Sequence, residues 1–212
     1  MKSIRLLLLL NLLMPVAFLM PVAGRAAELN LAAVSCDKYE NELLPATAPQ
    51  NSDPSKIASS AKNPDTINTV MWLFGYAVGF RGEHHMYGDA LMSFGFALDA
   101  VCKNNPSVSL LEAVTSVQPK RDNPMDLTTL TCETFEARHV DLNRTDPEGA
   151  GTIMMWVFGY SVGRSGSHLF DASGLANFTS ALQTRCTQHP DESLFDAVTA
   201  LSKPPPKPPA KH

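Results

Sequence analysis

The sequence predicts an all-α protein made of two tandem, small, disulfide-bonded helical domains. Three observations predict it. With a shift of 84 residues, positions 70–117 match positions 154–201 at 20 of 48 places without a gap. Each copy brings two cysteines and opens on one of them, within SCDKYE around Cys36 and TCETFE around Cys132. Apolar residues then recur at helical spacing, as in Leu91, Phe94, Leu98 and Cys102 or Leu175, Phe178, Leu182 and Cys186. A self-similar unit longer than a solenoid repeat, with its own cysteine pair, reads as a small domain duplicated.

The ends of the chain frame these units. Residues 1–26 read as an export signal: Lys2 and Arg5 start it, 6–22 is apolar, and Gly24-Arg25-Ala26 is a small-x-small cleavage pattern. The apolar stretch approaches the length of a membrane anchor, but Pro15 and Pro21 interrupt it. Cleavage removes Lys2, Arg5 and Arg25, leaving 14 basic residues against 21 acids and a net charge near −7. That balance argues against nucleic acid and against an anionic membrane surface as partners. Exported four-cysteine chains form disulfides, and of three possible pairings the repeat selects Cys36–Cys102 and Cys132–Cys186. Loops of 66 and 54 residues are closed by them, each worth roughly 4 kcal/mol by chain entropy.

The boundaries follow: domain 1 over 33–118, a linker at 119–127, domain 2 over 128–202 and a Pro/Lys-rich disordered tail at 203–212. Within each domain a first short helix carries the leading cysteine and continues through Tyr39 and Leu43, or through Phe135. A Pro/Ser/Asn/Lys-rich loop at 45–64 lengthens the first copy only. The second helix reads VMWLFGYAVG and MMWVFGYSVG. Gly75 and Gly79, like Gly159 and Gly163, lie four apart on one face. Two glycines there cost about 2 kcal/mol of helix propensity, so a closely packed neighbouring helix is expected. Gly82 and Gly166 suit the helix ends. After the third helix, Pro106 and Pro190 break the chain, and Ser107 and Asp191 are the expected caps of a last short helix.

Reaction chemistry finds no support in the repeat, so no catalytic residue and no cofactor is expected. No G-x-S-x-G elbow occurs, and the cysteines are committed to disulfides. Under the 84-residue shift only Glu112 meets an acid, Asp196, in the other copy; Asp89 faces Ser173 and Asp99 faces Gln183. His84 and His168 recur, but His85 is matched by Leu169, and no Cys or carboxylate keeps ligand spacing with them. No metal site is expected. Trp72 and Tyr76, and likewise Trp156 and Tyr160, lie one helical turn apart and read as core.

A leading cysteine in T/S-C-x-x-[FY], a helix reading W-x-x-G-Y-x-x-G, and a terminal C-x-x-x-P before a short apolar helix resemble the HdeA/HdeB family. The resemblance covers both repeats, so two HdeA-like domains are implied. It implies a small, exported, all-α periplasmic protein that in acid dissociates, partly unfolds and holds other proteins against aggregation. Its partners would then be unfolded or acid-damaged periplasmic proteins. The second copy would stand in for a partner subunit as an intramolecular pseudo-dimer, with a homodimer as the alternative. Met71, Phe74, Leu91, Phe94, Val157, Phe158 and Phe178 would be the apolar residues offered to clients. Below about pH 3 the acids are neutral, and the charge swings from near −7 to near +20 with 14 Lys/Arg and 6 His. Two other readings stay open: an exported binding protein of the immunity-inhibitor type, and a structural envelope protein.

Overall fold

The computed structural model describes residues 29–43, 64–87, 90–118 and 124–202. The export signal, the 45–64 loop apart from its last residue, most of the linker and the tail lie outside the described residues. The elements run β1 (Leu29–Asn30), α1 (Cys36–Lys38), α2 (Pro64–Phe80), β2 (His85–Tyr87), α3 (Ala90–Asn104), α4 (Leu110–Ser116), β3 (Pro124–Asp126), α5 (Cys132–Thr145), α6 (Pro147–Ser165), β4 (Leu169–Phe170), α7 (Ala172–Gln188) and α8 (Leu194–Leu201). Helix dominates, as the periodicity requires.

Short-range chemistry sets the helix ends. Asp146 caps α6 by accepting from the Gly149 N–H, with Pro147 in the first turn. Gly166 ends that helix at φ 71°, a left-handed conformation that favours glycine. The last helix of each half is capped by Ser109 and Ser193, not by Ser107 and Asp191. Each serine accepts from the N–H three residues on, at Glu112 and Asp196. The prolines sit one turn too early to place the cap beside them. The first helix runs through Leu43 as expected, with α1 over Cys36–Lys38 continued by Tyr39–Leu43 as a π-helical turn.

Both disulfides form as the repeat selects them, Cys36–Cys102 tying α1 to α3 and Cys132–Cys186 tying α5 to α7. Around each bond the same backbone ties recur. The Cys36 N–H donates to the Val108 carbonyl and the Cys132 N–H to Glu192; the Leu110 N–H donates to Val34 and the Leu194 N–H to Leu130.

Two features lie beyond a string of separate domains. The buried apolar residues form one continuous cluster drawn from both halves. The segment expected as linker also contributes a strand. β3 pairs antiparallel with β2 of the first half, while β1 pairs with β4 of the second. Each half's leading strand therefore completes a loop of the other half.

At the centre, α2 and α6 run parallel and in register. Asn68 accepts from the Thr152 hydroxyl at 3.0 Å, Gly75 and Gly79 lie on the Trp156 and Tyr160 backbone, and Gly159 and Gly163 lie on Trp72 and Tyr76. A Cβ at any of these four glycines would collide with a main-chain carbonyl. Only glycine permits that approach.

Gly79→Ala is expected to force the two backbones apart and lower stability by about 1–3 kcal/mol, the usual range for overpacking. Gly151→Ala, on the same α6 helix with nothing within 4 Å of an added Cβ, should instead raise it by about 0.5–1 kcal/mol. Urea midpoints of the two variants decide the matter; equal shifts would show that the helices do not touch at Gly79.

Candidate functional site

Aromatic rings gather around the glycine contact. Trp72 packs edge-on to Phe170 with ring centres 5.1 Å apart, so a first-half helix meets a second-half loop. Phe74 stacks on Phe94 at 5.1 Å and meets Trp156 edge-on at 6.3 Å. Phe158 lies against Phe178 at 5.6 Å. Met71, Phe74, Phe94, Val157, Phe158 and Phe178 are all buried, and Leu91 is half-buried. In the folded chain these residues are core, so they can meet another protein only after the halves part.

The core also contains polar groups, some matched and some not. The Tyr76 hydroxyl lies 2.7 Å from His168 Nδ1, and the Tyr160 hydroxyl donates to the Glu83 carbonyl at 2.8 Å. Both bonds join the halves. Burial pushes both phenols up to about 12, so each hydroxyl keeps its proton at neutral and acid pH. The indole N–H groups of Trp72 and Trp156 are buried without an acceptor among the described residues. An unsatisfied buried donor costs about 1–3 kcal/mol, so the centre of the fold carries a penalty that its apolar packing must offset.

Beside this interface a cavity of about 110 Å³ opens between α5, α6 and the β2–β3 pair. Phe135, Leu142, Ile153 and Val157 line it with Met86 and Met125, and the lining is almost wholly apolar. Within the repeat these residues read as ordinary helix faces; the cavity arises where β2 and β3 of different halves meet over them.

Three groups of ionisable residues stand around the core. Glu40 is pushed up to about 7, first by burial and then by the facing Asp99 carboxylate, while Lys103 opposes the rise. Lys103 pairs with Asp99 at 2.8 Å. Asp126 and Asp171 are held below the usual carboxylate range, first by hydrogen bonds from the Thr128 and Ser173 side chains and then by the backbone N–H groups of the same residues. Asp171 is the N-cap of α7. The third group brings together residues that no spacing along the sequence joins. His84, His85 and Asp126 each present a ligand atom within 4.8 Å of the others. The carboxylate is 41 positions beyond His85 and comes from the other half, so no spacing within one copy could show it.

The glycine and tryptophan positions are brought together at the α2–α6 contact, while the cysteines close one disulfide within each half. The Glu40–Asp99 contact could not be read from the chain, since 59 positions separate the two carboxyls and Asp99 is matched by Gln183 in the second copy.

Residues 111–196 match the family model described as HdeA/HdeB family. The match begins in α4 and runs through α5, α6 and α7 into α8. No curated protein and no solved structure matches the chain.

The raised Glu40 sets the sign of one pH response. Its folded value lies above the ordinary carboxylate value, so the native state binds the proton more tightly than the unfolded chain. Stability from this group is therefore full below the unfolded value, near 4.5, and is lost as the pH rises through about 7. Glu40→Gln should be more stable than the wild type at pH 8, with the advantage shrinking by pH 5. Melting temperatures of both proteins at the two pH values measure this; a difference that does not change with pH would refute it.

Proposed function

We propose that the chain is an exported, periplasmic HdeA/HdeB-type protein that keeps other proteins from aggregating in acid. The observation that carries this reading is the single buried interface on which the apolar residues of both halves converge around four glycine contacts. Such an interface can open as a unit. The two disulfides then limit how far each half unravels, since each ties the first helix of its half to the third.

In this reading the two halves do the work of two subunits in one tandem chain. Acid does not release a partner into solution; it parts α2 from α6 while the chain keeps the halves at high effective concentration. Re-docking on neutralisation needs no search. No helix among the described residues is long and apolar enough to cross a membrane.

The pH at which opening occurs follows from the charges. Between pH 7 and about 4.5, protonation of Glu40 strengthens the fold. Below the usual carboxylate range the signs reverse. Asp126 and Asp171, whose folded values are lowered, contribute stability that is lost as the pH falls through those values. Loss of the Asp171 charge weakens the cap of α7. Over the same range the mature chain moves towards a net charge near +20, from 14 Lys/Arg and 6 His. Self-repulsion of that size loosens a compact state.

The purified mature protein is expected to suppress aggregation of an acid-sensitive client at pH 2–3 and to bind a hydrophobic dye there, but not at pH 7. Reduced protein should protect less well, because nothing then holds the opened helices in pairs. No protection at pH 2–3, together with unchanged helicity and no dye binding, would sink the proposal. Capture of one tight partner at neutral pH would favour an inhibitor-type binding protein instead.

A further inference from the structure

His84, His85 and Asp126 lie where β2 of the first half meets β3 of the second. His85 and Asp126 are directly paired across the two strands, and the Leu127 N–H donates to the His84 carbonyl at 2.9 Å. The backbone of both strands is thus fixed at the point where the three side chains leave it. The imidazole rings of His84 and His85 lie with centres 4.2 Å apart, so both point to one side instead of alternating. Asp126 Oδ1 accepts from the Thr128 N–H at 2.9 Å and from its hydroxyl at 2.7 Å. These bonds orient the carboxylate as outer partners orient metal ligands elsewhere. All three residues are half-buried, within reach of solvent but not freely mobile.

We propose that His84, His85 and Asp126 bind one divalent transition-metal ion, zinc being the best match, and so clamp the two halves together at the β2–β3 pair. Two imidazole nitrogens and a carboxylate oxygen suit zinc, nickel or copper, whereas calcium and magnesium call for all-oxygen shells. Zinc holds such ligands at about 2.0–2.2 Å and keeps neighbouring ligand atoms about 3.4 Å apart in a tetrahedral shell. Ligand atoms now within 4.8 Å therefore draw in by no more than about 1.4 Å, which side-chain rotation supplies. Three protein ligands leave a fourth position for water.

The other strand pair supplies an internal control. There Asn30 pairs with Leu169, next to His168, so Asn, Leu and His stand where Asp126, His85 and His84 stand. Asn30 Oδ1 accepts from the Ala32 N–H at 3.0 Å, as Asp126 Oδ1 accepts from Thr128. Asn and Leu therefore already support this strand pairing, and D126N and H85L should keep the fold while removing ligands. His168 is also engaged with Tyr76. The metal clamp belongs to one side of the molecule only.

The test titrates zinc into tag-free mature protein by calorimetry at pH 7.5, with the same titration on D126N, H85L and H168A. One zinc per chain is expected, with affinity at least tenfold weaker in D126N and in H85L and unchanged in H168A. Wild-type protein should melt at a higher temperature with zinc present, and the two ligand variants should lose that increment. Circular dichroism of the variants confirms that they are folded. Absence of zinc binding at millimolar metal, or one-to-one binding that survives both D126N and H85L, overturns the site. Loss of binding in H168A alone would place the ion elsewhere and overturn it equally.

Discussion

Everything in this fold depends on main chain meeting main chain. Four glycines let α2 and α6 approach until the carbonyls of Trp72, Tyr76, Trp156 and Tyr160 occupy the space where side chains would stand. The contact fixes register as well as distance, because a shift of one residue would drive a side chain into a backbone. Once that register is set, Trp72 reaches Phe170 and Phe74 reaches Trp156. The aromatic shell, the cross-half tyrosine bonds and the strand pairs follow from it. Glycine's helix penalty, about 1 kcal/mol each, is the cost of this arrangement.

The fold is stapled strongly in some places and weakly in others. Each disulfide joins two helices within one half, and the bidentate Arg185–Glu192 pair ties the end of α7 to the turn before α8. The centre instead holds two indole donors without acceptors among the described residues. Covalent ties within each half, with unmatched donors between the halves, suit a molecule that opens between its halves without losing each half's helices. A uniformly packed core would do the opposite, giving way nowhere until it gave way everywhere.

Local signals in the chain were legible wherever the physics is local. Helix periodicity placed α2, α3, α6 and α7, and the repeat paired the cysteines; the helix-ending glycines fell at the two positive-φ positions, Gly82 and Gly166. The glycine face told that a helix must approach, though not which one. What escaped was everything made by one half for the other. Residues 124–126 carry no strand pattern of their own; they are strand because His85–Tyr87 offers them an edge. The histidine–aspartate cluster is likewise a product of assembly, and the Glu40–Asp99 contact joins positions 59 apart within the first half. The helix caps were missed for a smaller reason, since proline marks where a helix cannot continue and leaves the next start undetermined within a few residues.

The exchange of leading strands has a temporal side. Leu29 pairs with Phe170, and the Leu31 N–H donates to the His168 carbonyl at 2.9 Å. The strand pairing of the earliest described residues therefore waits until residues more than a hundred positions later have been synthesised. Cys36 and Cys102 can meet well before then. A first half oxidised at that stage is stapled but unfinished, with the glycine face of α2 uncovered. Whatever attends the emerging polypeptide meets that face before α6 does.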